Sequence, residues 1–300
     1  MEKFNIGSEK LQVTLKLTGA EMCSIIDLRD GCEHLWNAEP TYWGRHAPIL
    51  FPTIGESVGG EIGVHGKQYP LGRHGFARFE KFSIIAQNAG SIRFQLLPNA
   101  ETLKGFPFHF VFETEYTIVG NIIHQSFLVK NTDQVPFAFQ LGGHPAFAVP
   151  CGKQGTYSDH SIVLDKKENF DRHLLTKRGL FSGEKQPFMQ DTDRFDLYPD
   201  LFAEDAIVFK NEGISEASLV NNRTGKFVKM RFDGFPHLGV WSVPGAGYVC
   251  IEPWIGCADD DGGTNDLFKK DHAILLQPAE TFSAEFSIEI GESTQTLLGS

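Results

Sequence analysis

Four short segments of this 300-residue sequence set a charged or titratable side chain among aromatic residues and glycines. They are Trp43-Gly44-Arg45-His46, Arg73-His74-Gly75-Phe76-Ala77-Arg78, Gly142-Gly143-His144-Pro145 and Ile251-Glu252-Pro253-Trp254. In the third, the apolar run Phe137–Leu141 enters two glycines that permit close backbone approach, and Pro145 then stops a ladder. His144 is thereby held at a rigid strand end, where an imidazole can give or take a proton near neutral pH. The plain alternative is a histidine that caps a turn. Glu252 follows the apolar run Tyr248-Val249-Cys250-Ile251 and is either a base in a cleft or half of a structural ion pair. Trp254 tips the reading toward a cleft: an indole face stacks on sugar C–H groups while a nearby carboxylate takes a hydroxyl. Arg45 and Arg78 offer rigid forks of donors for hydroxyls or a phosphate, and Arg73 reads as a surface residue.

Other chemistries find no support. The formal charge of −11 and pI of about 5.5 leave no basic face for nucleic acid and no polybasic patch for an anionic membrane. No apolar leader or membrane-length run is visible, which predicts a cytoplasmic chain. The five cysteines form no C-x-x-C pair and read as reduced thiols. The eleven histidines show no H-x-H or H-x-x-x-H spacing, so no metal is expected. Asp259-Asp260-Asp261-Gly262-Gly263 lacks the flanking acids of a calcium loop and reads as a solvated acidic loop. There is no G-x-S-x-G elbow and no phosphate-binding glycine pattern.

The elements that must carry these residues are strands. Phe108, Phe110, Phe112, Thr114, Tyr116 and Ile118 keep one phase of a period-two pattern, and Gly120-Asn121 separates them from a second such run, Ile122–Val129. Further strands are predicted at Gln12–Leu17, Ser24–Leu28, Lys81–Ala86, Ser91–Leu97, Phe137–Leu141, Ser161–Leu164, Ala206–Phe209, Ala217–Val220, Phe227–Phe232, Leu238–Val243, Tyr248–Glu252, Ala273–Leu276 and Phe282–Ile290. Asn222 to Gly225 reads as a tight turn, Asn265–Asp271 as a turn of helix, and Cys151–Tyr198 as the most irregular stretch, with long loops. The expectation is an all-β, antiparallel architecture in one domain spanning residues 1–300.

Taken in order, Arg45 with Phe51-Pro52, His74-Gly75-Phe76-Ala77-Arg78, Gly143-His144-Pro145-Ala146-Phe147 and Glu252-Pro253-Trp254 resemble the aldose 1-epimerase (galactose mutarotase) family, closest to its bacterial LacX-like branch. The resemblance runs from about Leu11 to Ile290. It implies a large antiparallel β supersandwich and a cofactor-free isomerase that interconverts sugar anomers. It further implies Glu252 as general base on the anomeric hydroxyl and His144 as general acid on the ring oxygen. His74 and Arg45 would bind sugar oxygens, and Asp205 would be the family's hydroxyl-binding aspartate. An ionised Glu252 would favour a protonated His144. The galactose enzymes carry Asn-Arg where this chain has Gly44-Arg45. The His-Gly-Phe-Ala-Arg run also occurs in relatives acting on hexose 6-phosphates, in which case Arg78 would hold phosphate. The expected partner is an aldohexose, free or phosphorylated. The reading from a different class is a carbohydrate-binding protein without catalysis.

Overall fold

A computed structural model describes residues 2–293. Antiparallel strands dominate it, and all ladders between its strands are antiparallel. The largest sheet runs in the order Ile49–Leu50, Leu141–Gly143, Tyr248–Ile255, His237–Trp241, Ile207–Lys210, His160–Leu175, Glu216–Asn221, Lys226–Arg231, Thr281–Glu292, Ile122–Asn131, Phe110–Val119, Ser91–Leu96 and Ser83–Gln87. Ala146–Ala148 and Phe181–Asp196 pair on its flanks. A second sheet gathers Lys3–Gly7, Leu11–Lys16, Met22–Asp27 and Cys32–Glu33.

The phenylalanines explain how the sheet is filled. Phe110–Val119 alternates buried and half-buried side chains along its length. It pairs with Ile122–Asn131 through the two-residue loop Gly120-Asn121, with Val119 opposite Ile122 and Gly120 at φ +59°. Its inward phenylalanines meet Phe51, whose ring lies 4.4 Å from Phe112 and 5.4 Å from Phe110. Each such ring contributes about 1.5–3 kcal/mol by leaving water, and one cluster of buried apolar side chains extends from Ile6 to Ile290. Packing of this kind fixes Phe51-Pro52, and with it the segment leading to the site.

Three expectations are revised. The run Phe137–Leu141 is two strands: Phe137–Phe139 pairs with Ile274–Leu276, and Leu141–Gly143 joins the large sheet. The switch occurs at Gln140, a fully buried amide that accepts from Ile54 N–H and donates to the carbonyls of Cys257 and Asp271. The strand beginning at Tyr248 does not stop at Glu252 but continues through Pro253 to Ile255. Cys151–Tyr198, expected to be looped, holds the two longest strands, His160–Leu175 and Phe181–Asp196. Four register shifts break their alternation and both leave many residues exposed, so neither shows a period-two pattern. The predicted turn of helix is a 3₁₀ turn at Leu267–Lys269, within the expected span.

Candidate active site

The strand Tyr248–Ile255 is buried at every position, and its neighbour on one side is interrupted. Ala146 stands opposite Cys250 and Gly142 opposite Trp254. Both pairs belong to one register, so His144 falls opposite Glu252, in the gap where the His144-Pro145 turn leaves the ladder. That gap also accommodates Pro253, whose missing N–H meets no strand there. On its other side the His144 segment is tied to the Pro48 region: His144 N–H donates to Pro48 O and Ala146 N–H to His46 O. The glycines matter here. A Cβ at Gly142 would stand 2.9 Å from the Pro253 carbonyl oxygen, and one at Gly143 2.6 Å from the Phe286 ring.

The result is a buried pair. His144 Nε2 lies 3.2 Å from Glu252 Oε2, with side chains 8% and 2% exposed. Glu252 Oε2 and His144 Nδ1 have no hydrogen-bond partners. Burial disfavours both charges. It pushes the Glu252 carboxyl well above its ordinary range, which the nearby Trp254 indole N–H partly offsets and Asp205 reinforces. It pulls His144 down to about 3, with Arg78 adding to the effect. Burial thus works against the expected pairing of an ionised Glu252 with a protonated His144, because desolvation disfavours both charged forms.

The pair opens onto a cavity of about 450 Å³ that is also lined by His74, Arg78, Asp205, Trp254, Trp43 and Arg73. That volume suits a small-molecule ligand. Trp43 stacks on the His144 ring at 4.9 Å, and Trp241 meets it edge-on at 5.8 Å. Trp254 lies flat over Gly239, where a Cβ would come within 2.5 Å of the indole. His74 sits at φ +63° and accepts Gly55 N–H on Nδ1 at 3.0 Å, which leaves Nε2 to carry the ring proton. Its pKa falls well below the ordinary value through burial, then through His144 and the arginines. Asp205, at φ +120°, is the second cavity residue in a strained backbone conformation. Strain of this kind costs about 1–3 kcal/mol per residue and gathers at functional sites.

Six of the seven residues singled out from the sequence thus line one cavity: His144, Glu252, His74, Arg78, Asp205 and Trp254. Arg45 does not line it. Its guanidinium lies 4.5 Å from the Phe79 ring and donates to the Arg78 carbonyl, so it stands behind Arg78. Arg73, assigned to the surface, is half-exposed and lines the cavity. Burial, with Arg45 and Arg73 close by, lowers Arg78 to about 10. Trp43 and Trp241 were missed as site residues, although Trp43 belongs to a flagged segment. The far wall, from Leu175, Gly179, Phe181 and Phe202, carries no sequence signal at all. Within the acidic triplet Asp259 is buried against Lys270, contrary to a solvated loop.

Two groups of side chains among the described residues could chelate an ion: His144 with Cys250 and Glu252, and His237 with Asp271 and His272. In the second, Lys210 already pairs with Asp271 at 3.1 Å. Asn211 N–H donates to His237 Nδ1, so the ring proton sits on Nε2 and blocks it as a ligand. No helix among the described residues is long and apolar enough to cross a membrane.

A solved structure of a galactose mutarotase related enzyme from Lactobacillus acidophilus superposes with a TM-score of 0.91 at 32% identity, covering 98% of each chain. A galactose mutarotase-like protein from Lactobacillus casei gives 0.91 at 27% identity, covering 97% of this chain and all of the other. The plasmid-encoded protein LacX of Lactococcus lactis is 31% identical over 293 residues, or 94% of this chain and 97% of the relative. The family model for aldose 1-epimerase matches residues 2–289, and the chain belongs to the aldose 1-epimerase family.

Proposed function

We propose that this protein is a mutarotase that interconverts the α and β anomers of an aldohexose. The observation that carries the reading is the His144–Glu252 pair, 3.2 Å apart at the floor of a tryptophan-lined cavity. The anomeric hydroxyl oxygen and the ring oxygen share one carbon, so an acid and a base serving both must themselves lie close together. Glu252 takes the proton from the anomeric hydroxyl. The C1–ring oxygen bond breaks with its electron pair moving to the ring oxygen, which receives a proton from His144. The open aldehyde turns about C1–C2, and the same transfers in reverse close the ring on the other face. A sugar hydroxyl donating to Glu252 favours its carboxylate form, and that carboxylate in turn favours a protonated His144. His74 Nε2–H and Asp205 hold further hydroxyls, and Trp254 offers a flat face to the ring. No metal or nucleotide takes part in these steps. Five free, buried cysteines support work in the reducing cytoplasm.

The second reading is a phosphorylated hexose. It is favoured by Arg73 and Arg78 lining the same cavity in a chain of net charge −11. Polarimetry on freshly dissolved α-glucose, α-galactose and glucose 6-phosphate, with wild type and Glu252→Gln, separates the cases. Faster equilibration that Glu252→Gln removes supports a mutarotase, and the preferred sugar decides the role of the arginines. Saturable binding of a sugar without acceleration would overturn catalysis in favour of a carbohydrate-binding protein.

A further inference from the structure

Alternation along Tyr248–Ile255 puts Cys250 on the same face as Glu252, and the register puts His144 opposite Glu252 on the neighbouring segment. The three ligand atoms all lie within 4.8 Å of one another, and all three residues are buried. We infer that His144, Cys250 and Glu252 form a binding site for a soft divalent cation of the zinc type, which shuts the proposed active site reversibly. This inference rests on the mutarotase reading only for its consequence, not for the site.

Four features point to a cation. First, the His144–Glu252 separation fits. Ligand atoms around a tetrahedral zinc lie about 3.3–3.6 Å apart for bonds of roughly 2.0–2.3 Å, and His144 Nε2 and Glu252 Oε2 are 3.2 Å apart. Second, those two atoms face each other without a hydrogen bond, and Glu252 Oε2 has no other partner in a residue 2% exposed. Third, His144 Nδ1 is also unpartnered and can carry the ring proton, leaving the Nε2 lone pair free for the metal. Fourth, the charges cancel. A thiolate, a carboxylate and a neutral imidazole balance a dication, which removes the cost of burying any of them alone. A thiolate selects zinc-type ions over magnesium or calcium.

Binding displaces the Cys250 thiol proton into solvent, so uptake releases protons and weakens as pH falls. Three protein ligands leave a fourth coordination position open, as in zinc sites with three protein ligands. With both proton-transfer groups bound to the ion, ring opening stops until the metal is removed. Cys250 does not line the cavity and takes no part in the proton transfers, so its loss leaves the metal-free reaction in place.

The test adds Zn²⁺ or Co²⁺ alone to the full chain, with wild type, Cys250→Ala, Cys250→Ser and Cys257→Ala. Wild type should take up one Zn²⁺ at this site by calorimetry and give a thiolate-to-cobalt charge-transfer absorption with Co²⁺. Both Cys250 variants should lose that absorption and bind Zn²⁺ about tenfold or more weakly, while Cys257→Ala keeps both. Zn²⁺ should abolish mutarotation by wild type, chelator should restore it, and Cys250→Ala should resist inhibition while retaining metal-free activity. Two Cys250 variants guard against one failing to fold. An absorption absent from wild type, or surviving in both Cys250 variants, overturns the site. Metal binding as described in a protein that accelerates no sugar overturns the mutarotase reading and leaves the site. Acceleration without metal binding overturns the site alone.

Discussion

The cavity has two walls built on different principles. One is the run of short strands that carries His144 and Glu252: Tyr248–Ile255 is buried throughout, and its neighbours touch it through Gly142 and Gly239. The other is the tip of the long hairpin His160–Leu175 and Phe181–Asp196, together with the Phe202–Ala206 loop. That hairpin is broken by register shifts and is exposed along much of its length. The first wall has no spare volume, so its groups are held to the tolerance that proton transfer requires. The second rests on loops and half-exposed residues, where substitutions are tolerated and binding preferences are set. The two walls differ in how tightly they are built, and substitutions on each test whether they can be perturbed separately.

The largest effect is expected from the chemical wall. Glu252→Gln should cut the mutarotation rate by about 10²–10⁴-fold, while thermal unfolding is unchanged or raised, because an isosteric amide removes a buried ionisable group. A lost fold with unchanged activity per folded molecule would break the assignment.

Next comes Glu21, which braces this wall from the small sheet. It accepts His46 and Ala47 N–H and pairs with Lys16 at 2.6 Å, while its side chain is 1% exposed. Burial raises its pKa, but the His46 and Lys16 contacts win and bring it down from the ordinary 4.5 to about 2. A lowered folded-state value means stability that is fully present above the unfolded carboxylate range and is lost as pH falls toward about 2. The loss should reach about 3 kcal/mol. Chemical denaturation from pH 6 to pH 2 should show a smaller acid loss in Glu21→Gln than in wild type; equal slopes would remove Glu21 from this role.

Gly239→Ala should cost about 1–3 kcal/mol, because its Cβ would strike the Trp254 indole and overpacking strains a filled core. Displacing that ring should also raise KM for the sugar, and an unchanged KM would show that Trp254 does not bind it.

The smallest effect belongs to the far side of the cavity. Arg73→Ala should alter stability by no more than about 0.5 kcal/mol and leave kcat/KM for free hexose unchanged. If the phosphorylated reading is correct, it should weaken glucose 6-phosphate alone. A loss on free hexose as well would show that the two walls are not separable.

Much of this was legible in the chain. The period-two run around Phe110 and Phe112, the Gly120-Asn121 hairpin and the strand-end placement of His144 are local patterns, each fixed by a few neighbouring residues. Together with the ordered motifs they led to an antiparallel β fold and to His144, Glu252, His74, Arg78, Asp205 and Trp254. The hairpin from His160 to Asp196 was not legible, because its register shifts and exposed faces erase the alternation that marks a strand. Arg45 and Arg73 exchanged expected places for a related reason: a composition rule reads the neighbours in sequence, and the cavity is defined by neighbours in space.

The sequence by itself determined the strands with a regular alternation and the residues that carry titratable groups, since both follow from side-chain type and short-range spacing. Tertiary structure alone decided that His144 stands opposite Glu252, because the register between segments a hundred residues apart is set by the core they share. It also decided how strongly burial works against their charges, because desolvation is a property of the assembled fold.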